Sequence, residues 1–223
     1  IPGEWYVDEK KGVLYYYPRK DIMQTEILFS PQTKPIFTLN GTKYITISNI
    51  TFEGGCGTAI EIVDGYANIV DGCIIRNMGY SGVNITCTDK IGPGRNGVIN
   101  SHIYNTGATA IYLRGGDRKT LVAGEDYVDN CLIENFAMDL HGNTGGIMSD
   151  GTVGASVRHC NIHNDNSSGL YMGGNDDLYE YNEIYNVIKN TDDYGAVYGD
   201  HRGAMRQGAI YRYNYMHDVV YES

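Results

Sequence analysis

A five-residue pattern returns along the chain: a small or polar residue, any residue, Ile, any residue, Asn. It reads Cys73-Ile74-Ile75-Arg76-Asn77, Ser101-His102-Ile103-Tyr104-Asn105, Cys131-Leu132-Ile133-Glu134-Asn135, Cys160-Asn161-Ile162-His163-Asn164 and Asn182-Glu183-Ile184-Tyr185-Asn186. Weaker copies lie at Ser48 to Phe52 and at Asn214 to Asp218, where Met216 takes the Ile place. Five residues before each central position stand Ile45, Val70, Val98, Val128, Val157, Tyr179 and Tyr211. Self-similarity at a spacing of a few tens of residues is the mark of a repeat architecture. Within a copy the small residue, the Ile and the Asn alternate, which places them on one side of a strand. A strand this short buries its apolar face only by stacking on its neighbours, as in a solenoid. The Asn suits the turn that ends the strand, and stacked Asn side chains can bond as a ladder.

A second strand comes after each turn: Ala59-Ile60-Glu61-Ile62, Gly82-Val83-Asn84-Ile85, Ala110-Ile111-Tyr112-Leu113, Gly146-Ile147-Met148, Gly169-Leu170-Tyr171-Met172 and Gly195-Ala196-Val197-Tyr198. Glu61, Asn84, Tyr112, Met148, Tyr171 and Val197 are expected to form an outward ladder. Two or three short strands per coil, stacked in parallel over about seven coils, give an all-β, right-handed parallel β-helix. A propeller or sandwich would show hairpin turns at even spacing, and the Asn-Gly and Asp-Gly pairs do not recur that way.

The first 35 residues do not carry the repeat. Trp5–Asp8 and Val13–Tyr17 flank a charged turn closing at Gly12, which predicts a β-hairpin. Pro18, Pro31 and Pro35 break the stretch between this hairpin and the first coil. This segment, residues 1–35, is expected to cover the side or one end of a solenoid spanning residues 36–223. The longest intervals between second strands, residues 86–109 and 114–145, predict insertions that rim a binding face.

Composition narrows the partners. A net charge of -10 over 223 residues makes nucleic acid an unsuitable one. No stretch is long and apolar enough to cross a bilayer. The chain begins with Ile, so a processed form or a fragment is expected. Its 29 Gly suit tight corners, and its 20 Tyr suit either sugar faces or ordinary sheet surfaces. Of five Cys, Cys73, Cys131 and Cys160 share one inward repeat position and read as stacked, reduced thiols. The six His form no zinc set.

Longer stretches bring a family into view. Gly115-Gly116-Asp117-Arg118-Lys119-Thr120-Leu121, Gly174-Asn175-Asp176-Asp177-Leu178-Tyr179-Glu180-Tyr181-Asn182-Glu183-Ile184, Asp193-Tyr194-Gly195-Ala196-Val197-Tyr198 and Arg212-Tyr213-Asn214-Tyr215-Met216-His217-Asp218 resemble bacterial right-handed parallel β-helix proteins. So do Gly3-Glu4-Trp5-Tyr6-Val7-Asp8 and Leu14-Tyr15-Tyr16-Tyr17-Pro18. The resemblance implies a secreted, periplasmic or surface carbohydrate-active protein, nearest to fucosidase- or xylanase-type glycoside hydrolases, with polysaccharide lyases as architectural relatives. The chain departs from that family at Asp177, where His is usual, and at Asp200-His201-Arg202-Gly203-Ala204-Met205, where an aromatic-containing stretch is usual. Such proteins also run on for several coils beyond the point where this chain stops.

Glycoside hydrolysis requires two carboxyl groups, about 5 Å apart for retention and about 6.5–9.5 Å for inversion. The C-terminal coils supply Asp150, Asp176, Asp177, Asp193 and Asp200. Asp176, Asp193 and Asp200 are the candidate acids and bases, although an Asp beside a Gly is also a turn former. Arg114 and Arg118 could hold a substrate carboxylate through a bidentate fork, and Tyr112, Tyr171, His201 and Arg202 complete the candidate substrate contacts. No cofactor is implied beyond a calcium ion that clustered Asp could hold. A lyase acting on a uronic-acid polymer, with Arg114 beside an Asp or His201, is the second reading. A non-catalytic glycan-binding or assembly solenoid is the third. The segment Ala209 to Val220 reads as a last strand whose open edge is expected to be covered by another chain, by another fragment of the same precursor or, least favoured, by the N-terminal hairpin folded back.

Overall fold

A computed structural model describes residues 1–24, 27–88, 92–189, 194–199 and 207–219. Trp5–Asp8 pairs antiparallel with Val13–Tyr16 in a hairpin whose turn passes through Gly12, at a φ of 63°. From Phe37 onward the chain winds as a parallel β-helix. Each turn of the helix visits three sheets in the same order, and each sheet stacks seven parallel strands. Parallel crossovers of this kind are right-handed almost without exception.

Following the chain, the sheet we call the third holds Phe37–Asn40, Ile60–Val63, Val83–Thr86, Ile111–Arg114, Gly145–Val153, Ser168–Asn175 and Val197–Gly199. The first sheet holds Thr46–Ser48, Ile69–Asp71, Gly97–Ile99, Tyr127–Asp129, Ser156–Arg158, Leu178–Glu180 and Ile210–Arg212. The second holds Thr51–Glu53, Ile74–Met78, His102–Thr106, Leu132–Glu134, Asn161–His163, Glu183–Tyr185 and Tyr215–His217. The segment Ala209 to Val220 is thus two strands in two sheets, with Val220 outside the described residues.

The interior is built from axial columns. Ile75, Ile103, Ile133, Ile162 and Ile184 pair coil upon coil, all at 0% exposure. Val70, Val98, Val128, Val157 and Tyr179 form the facing column of the first sheet. Cys73, Cys131 and Cys160 are buried free thiols, Cys87 is half-buried and Cys56 exposed.

The first coil departs from the register read in the sequence. Ile47 pairs with Val70 and Phe52 with Ile75, so these two point inward, whereas Ile45 and Ile50 are exposed. The last coil departs as well. Val197 pairs with Leu170 and belongs to the interior side, and Tyr198 takes the outward place beside Tyr171.

Corners are made by the left-handed backbone conformation. Asn77, Asn105, Asn135, Asn164 and Asn186 close the second-sheet strands at φ of 49–60°. The Asn of the repeat therefore does not face inward with the Ile: the left-handed turn carries it out of the alternation, and Asn77 is exposed. Asn tolerates this region better than most residues because its amide bonds locally. The side chains also bond along the axis, Asn105 Nδ2 donating to Asn77 Oδ1 at 2.9 Å and Asn130 Nδ2 to Asn100 Oδ1 at 2.8 Å.

Many tyrosines serve the same stacking. His163, Tyr185 and His217 lie ring on ring with centroids 4.7 and 4.8 Å apart, and His159, Tyr181 and Tyr213 do so at 5.5 and 5.2 Å. Rings stacked along the axis cover one another's faces. These columns therefore stiffen the coil spacing.

Candidate functional site

The outer face of the third sheet forms a groove along the helix axis. Period-2 alternation sends every second side chain outward. The register aligns Glu61, Asn84, Tyr112, Met148, Tyr171 and Tyr198 in one outward row. Two residues further along each strand, Val63, Thr86 and Arg114 align in a second row. Leu113 pairs with Ser149, so Asp150 continues that row one coil beyond Arg114, and Gly173 comes next.

One wall comes from residues 136–144. Leu140, Gly142, Asn143 and Thr144 enclose a cleft of 310 Å³ with Tyr80, Asn84, Tyr112 and Met148. Tyr80 and Asn84 also line the adjoining cleft, which runs back past Glu61 to Thr33 and Pro35. The far end is tied to this wall by aromatic contacts. Tyr194 Oη accepts the backbone N–H of Asn143 at 2.8 Å, the rings of Tyr194 and Tyr198 are 4.6 Å apart, and Tyr198 packs on Tyr171 at 5.4 Å.

Charge concentrates at the centre. Burial pushes the Tyr112 phenol above its ordinary range. The negative charge of Asp150 pushes the same way, and the charge and hydrogen bond of Arg114 oppose them. Tyr112, Arg114 and Asp150 thus act on one another. Arg118 joins from the insertion, its Nε donating to Asn175 Oδ1 at 3.2 Å. A Cβ at Gly151 would lie 3.6 Å from Arg118 Cδ and 3.9 Å from Arg114 Nε, so both arginines pass over this glycine. A Cβ at Gly173 would lie 3.2 Å from Asp150 Oδ1, so the missing side chain leaves the carboxylate open on that side.

Of the residues singled out in the sequence, Tyr112, Arg114 and Arg118 meet in this groove. Tyr171 lies in its floor but is 4% exposed beneath Tyr198. Asp176 stands elsewhere. It occupies the left-handed corner between the third and first sheets, at φ 54°, in a column with Tyr44, Ala67, Arg95, Glu125, Gly154 and Gly208. There it borders a depression on the first sheet with Glu125, Tyr127, Asp129 and Arg158. Asp193, Asp200, His201 and Arg202 lie outside the described residues. Among the described residues no three His, Cys, Asp or Glu side chains gather as a metal-binding group.

Sequence reasoning noted Asp177 singly but missed the axial set of polar residues to which it belongs. Asn68, Asn96, Asp126 and Asp177 stand just before first-sheet strands, and all four are buried. Each accepts, through Oδ1, the backbone N–H of the matching residue one coil earlier: Ile45 at 3.1 Å, Asn68 at 3.1 Å, Asn96 at 2.9 Å and Ala155 at 2.8 Å. Asp177 is further held by Thr152 Oγ1 at 2.5 Å and Tyr179 Oη at 3.1 Å, which explains it as a structural carboxyl.

Residues 36–204 match the family described as "Right handed beta helix region". The chain belongs to that family. No curated protein and no solved structure matches it. Membership agrees with the three seven-stranded parallel sheets of this right-handed β-helix.

Proposed function

We propose that this right-handed β-helix is a secreted, periplasmic or surface glycoside hydrolase that binds an extended polysaccharide along the outer face of its third sheet. The observation that carries the reading is the meeting of Tyr112, Arg114 and Asp150 in the middle of a walled groove. Successive coils repeat at about 4.8 Å, close to the advance of one sugar unit along an extended chain, so each coil can present one outward residue per unit. Tyr112 offers a ring face, Asn84 an amide, and Arg114 and Arg118 forked donors for hydroxyl or carboxylate oxygens. A polymer of this kind does not enter cells intact, which accords with an extracellular or periplasmic location.

Asp150 is the carboxylate suited to act in this groove. Glu61, on the same face, is three coils away, about 14 Å at the usual strand spacing. That exceeds the separation of either hydrolytic geometry, about 5 Å or about 6.5–9.5 Å. The second carboxyl is therefore assigned to Asp193 or Asp200, and Asp176 to its corner. The Arg114–Tyr112 contact favours one other reading, β-elimination on a uronic-acid polymer, in which Arg114 would neutralise the substrate carboxylate.

Incubation with neutral and uronate polysaccharides separates these readings. New reducing ends without ultraviolet absorbance, lost in Asp150→Asn, are expected. Products that absorb in the ultraviolet, lost in Arg114→Gln, would identify a lyase. Binding without products across both polymer classes would make the chain a glycan-binding solenoid and overturn catalysis.

A further inference from the structure

A second cavity, of 430 Å³, lies at the corner between the third and first sheets, lined by Lys43, Asp64, Tyr66, Cys87, Asn96 and Asp126 together with glycine backbone. Asp126 forms its inner wall. Its side chain sits in a residue only 3% exposed, and Oδ1 takes both the backbone N–H and the side-chain N–H of Asn96, at 2.9 and 3.0 Å. Oδ2 has no hydrogen-bond partner among the described residues. Oδ2 keeps contact with the cavity space, so a donor carried by a ligand can reach it.

The walls are shaped around this carboxyl. A Cβ at Gly94 would come within 2.6 Å of Oδ1, and one at Gly115 within 2.1 Å of Oδ2. Asp64 and Tyr66 are already engaged with neighbouring groups. Asp64 accepts from the Thr88 backbone N–H and Oγ1, both at 2.7 Å. Tyr66 is fixed by the Tyr44 ring, edge-on at 5.4 Å, and by Arg95 Nη1, which donates to its Oη at 3.3 Å.

We propose that this corner cavity is a binding site for a single neutral sugar unit, whose hydroxyl donates to Asp126 Oδ2 and whose apolar face rests on the Tyr66 ring. The class comes from the lining. The volume falls in the range of small-molecule sites, well above that of one ion. Lys43 in the lining opposes a bare cation. An aromatic ring beside an unpaired acceptor matches a molecule that carries C–H faces and hydroxyl donors together. The inference does not depend on the groove of the third sheet, because a free monosaccharide suffices to fill the site.

Saturation-transfer NMR with free glucose, galactose, xylose and fucose tests it, with calcium chloride titrated separately. At least one sugar is expected to show transfer, and its dissociation constant is expected to rise at least tenfold in Tyr66→Ala and in Asp126→Asn. Asp126→Asn keeps an oxygen for the Asn96 N–H groups but replaces the free acceptor by a donor. Circular dichroism establishes that both variants remain folded, and should Asp126→Asn unfold, Tyr66→Ala alone decides. Absence of transfer from every sugar, or transfer unchanged in the folded variants, would overturn the proposal. So would calcium binding abolished in Asp126→Asn without sugar binding.

Discussion

Asp126 Oδ1 accepts two N–H groups of Asn96, one from the backbone and one from the side chain, at a corner where Asn68 treats Ile45 in a similar way. Two coils of this ladder use an amide and the next uses a carboxyl. The carboxyl is the exposed weakness of the arrangement. Burial lifts Asp126 from an ordinary 3.8 to about 6, against the lowering effect of the Asn96 bonds. A carboxyl raised in the folded state holds its proton more tightly there than in the unfolded chain. The contribution of Asp126 to stability is therefore fully present below about pH 4 and is lost as pH rises through about 6, a loss of up to about 3 kcal/mol. Asp165, raised by burial to about 7, adds a loss of the same sign at slightly higher pH. Asp126→Asn is expected to raise the denaturation midpoint at about pH 8 and to leave it nearly unchanged at about pH 4. An equal effect at both values would show that the carboxyl is ionised without cost.

The Ile column carries the strongest stability prediction. Ile133 is fully buried between Ile103 and Ile162. Ile133→Ala should cost about 2–5 kcal/mol in chemical denaturation, as truncation of a buried aliphatic residue does. A loss well under 1 kcal/mol would mean that the coils collapse readily around the gap.

At the corners, conformation rather than burial sets the cost. Asn105 holds a φ of 54° and donates to Asn77. Asn105→Ala should destabilise by about 1–2 kcal/mol, since Ala is strained in the left-handed region and loses the bond. Asn105→Gly loses the bond but adopts the conformation freely. Glycine is therefore expected to be the milder substitution, and the reverse order in thermal unfolding would place the importance of Asn105 in its side-chain bond.

The solenoid was legible because its repeat writes the same inward column seven times. The register of the first coil was not, since Ile45-Thr46-Ile47 and Ile50-Thr51-Phe52 each offer two apolar residues of the same parity. In the last coil, Ala196 takes the place that Gly169 holds one coil earlier, and aligning glycine with glycine moves Val197 outward by one residue. The groove could be read through Tyr112, Arg114 and Arg118, which emerge from the alternation and the insertion. Asp126 escaped notice because its meaning is axial. Yet Asn68, Asn96, Asp126 and Asp177 each stand two residues before Val70, Val98, Val128 and Tyr179. That fixed offset was a signal that attention to apolar columns passed over.

Thiol reactivity distinguishes the cysteines. Cys56 is exposed, with Sγ donating to the Ser30 carbonyl at 2.7 Å, and Cys87 is half-buried. Burial pushes the Cys160 thiol well above its ordinary pKa, which further lowers its thiolate fraction. In the native protein a thiol reagent should label Cys56 first and Cys87 more slowly. Cys73, Cys131 and Cys160 should react only after unfolding, as peptide mass mapping would show. Rapid native labelling of Cys131 would place that column outside the core.

In the groove, the test of shape is Gly173. It neighbours Asp150 in the outward row, and its lack of a side chain opens the carboxylate. A Cβ there would also meet the Ser149 carbonyl oxygen at 2.8 Å, so even Ala must displace backbone, and the folded state of any variant at this position is checked first. Gly173→Val is expected to reduce polysaccharide binding or turnover at least tenfold, because the branched side chain would stand beside Asp150 where a sugar must pass. If Gly173→Val folds, by circular dichroism, and still binds as the parent does, the ligand does not run past Asp150. The functional surface would then have to be sought on another face of the helix.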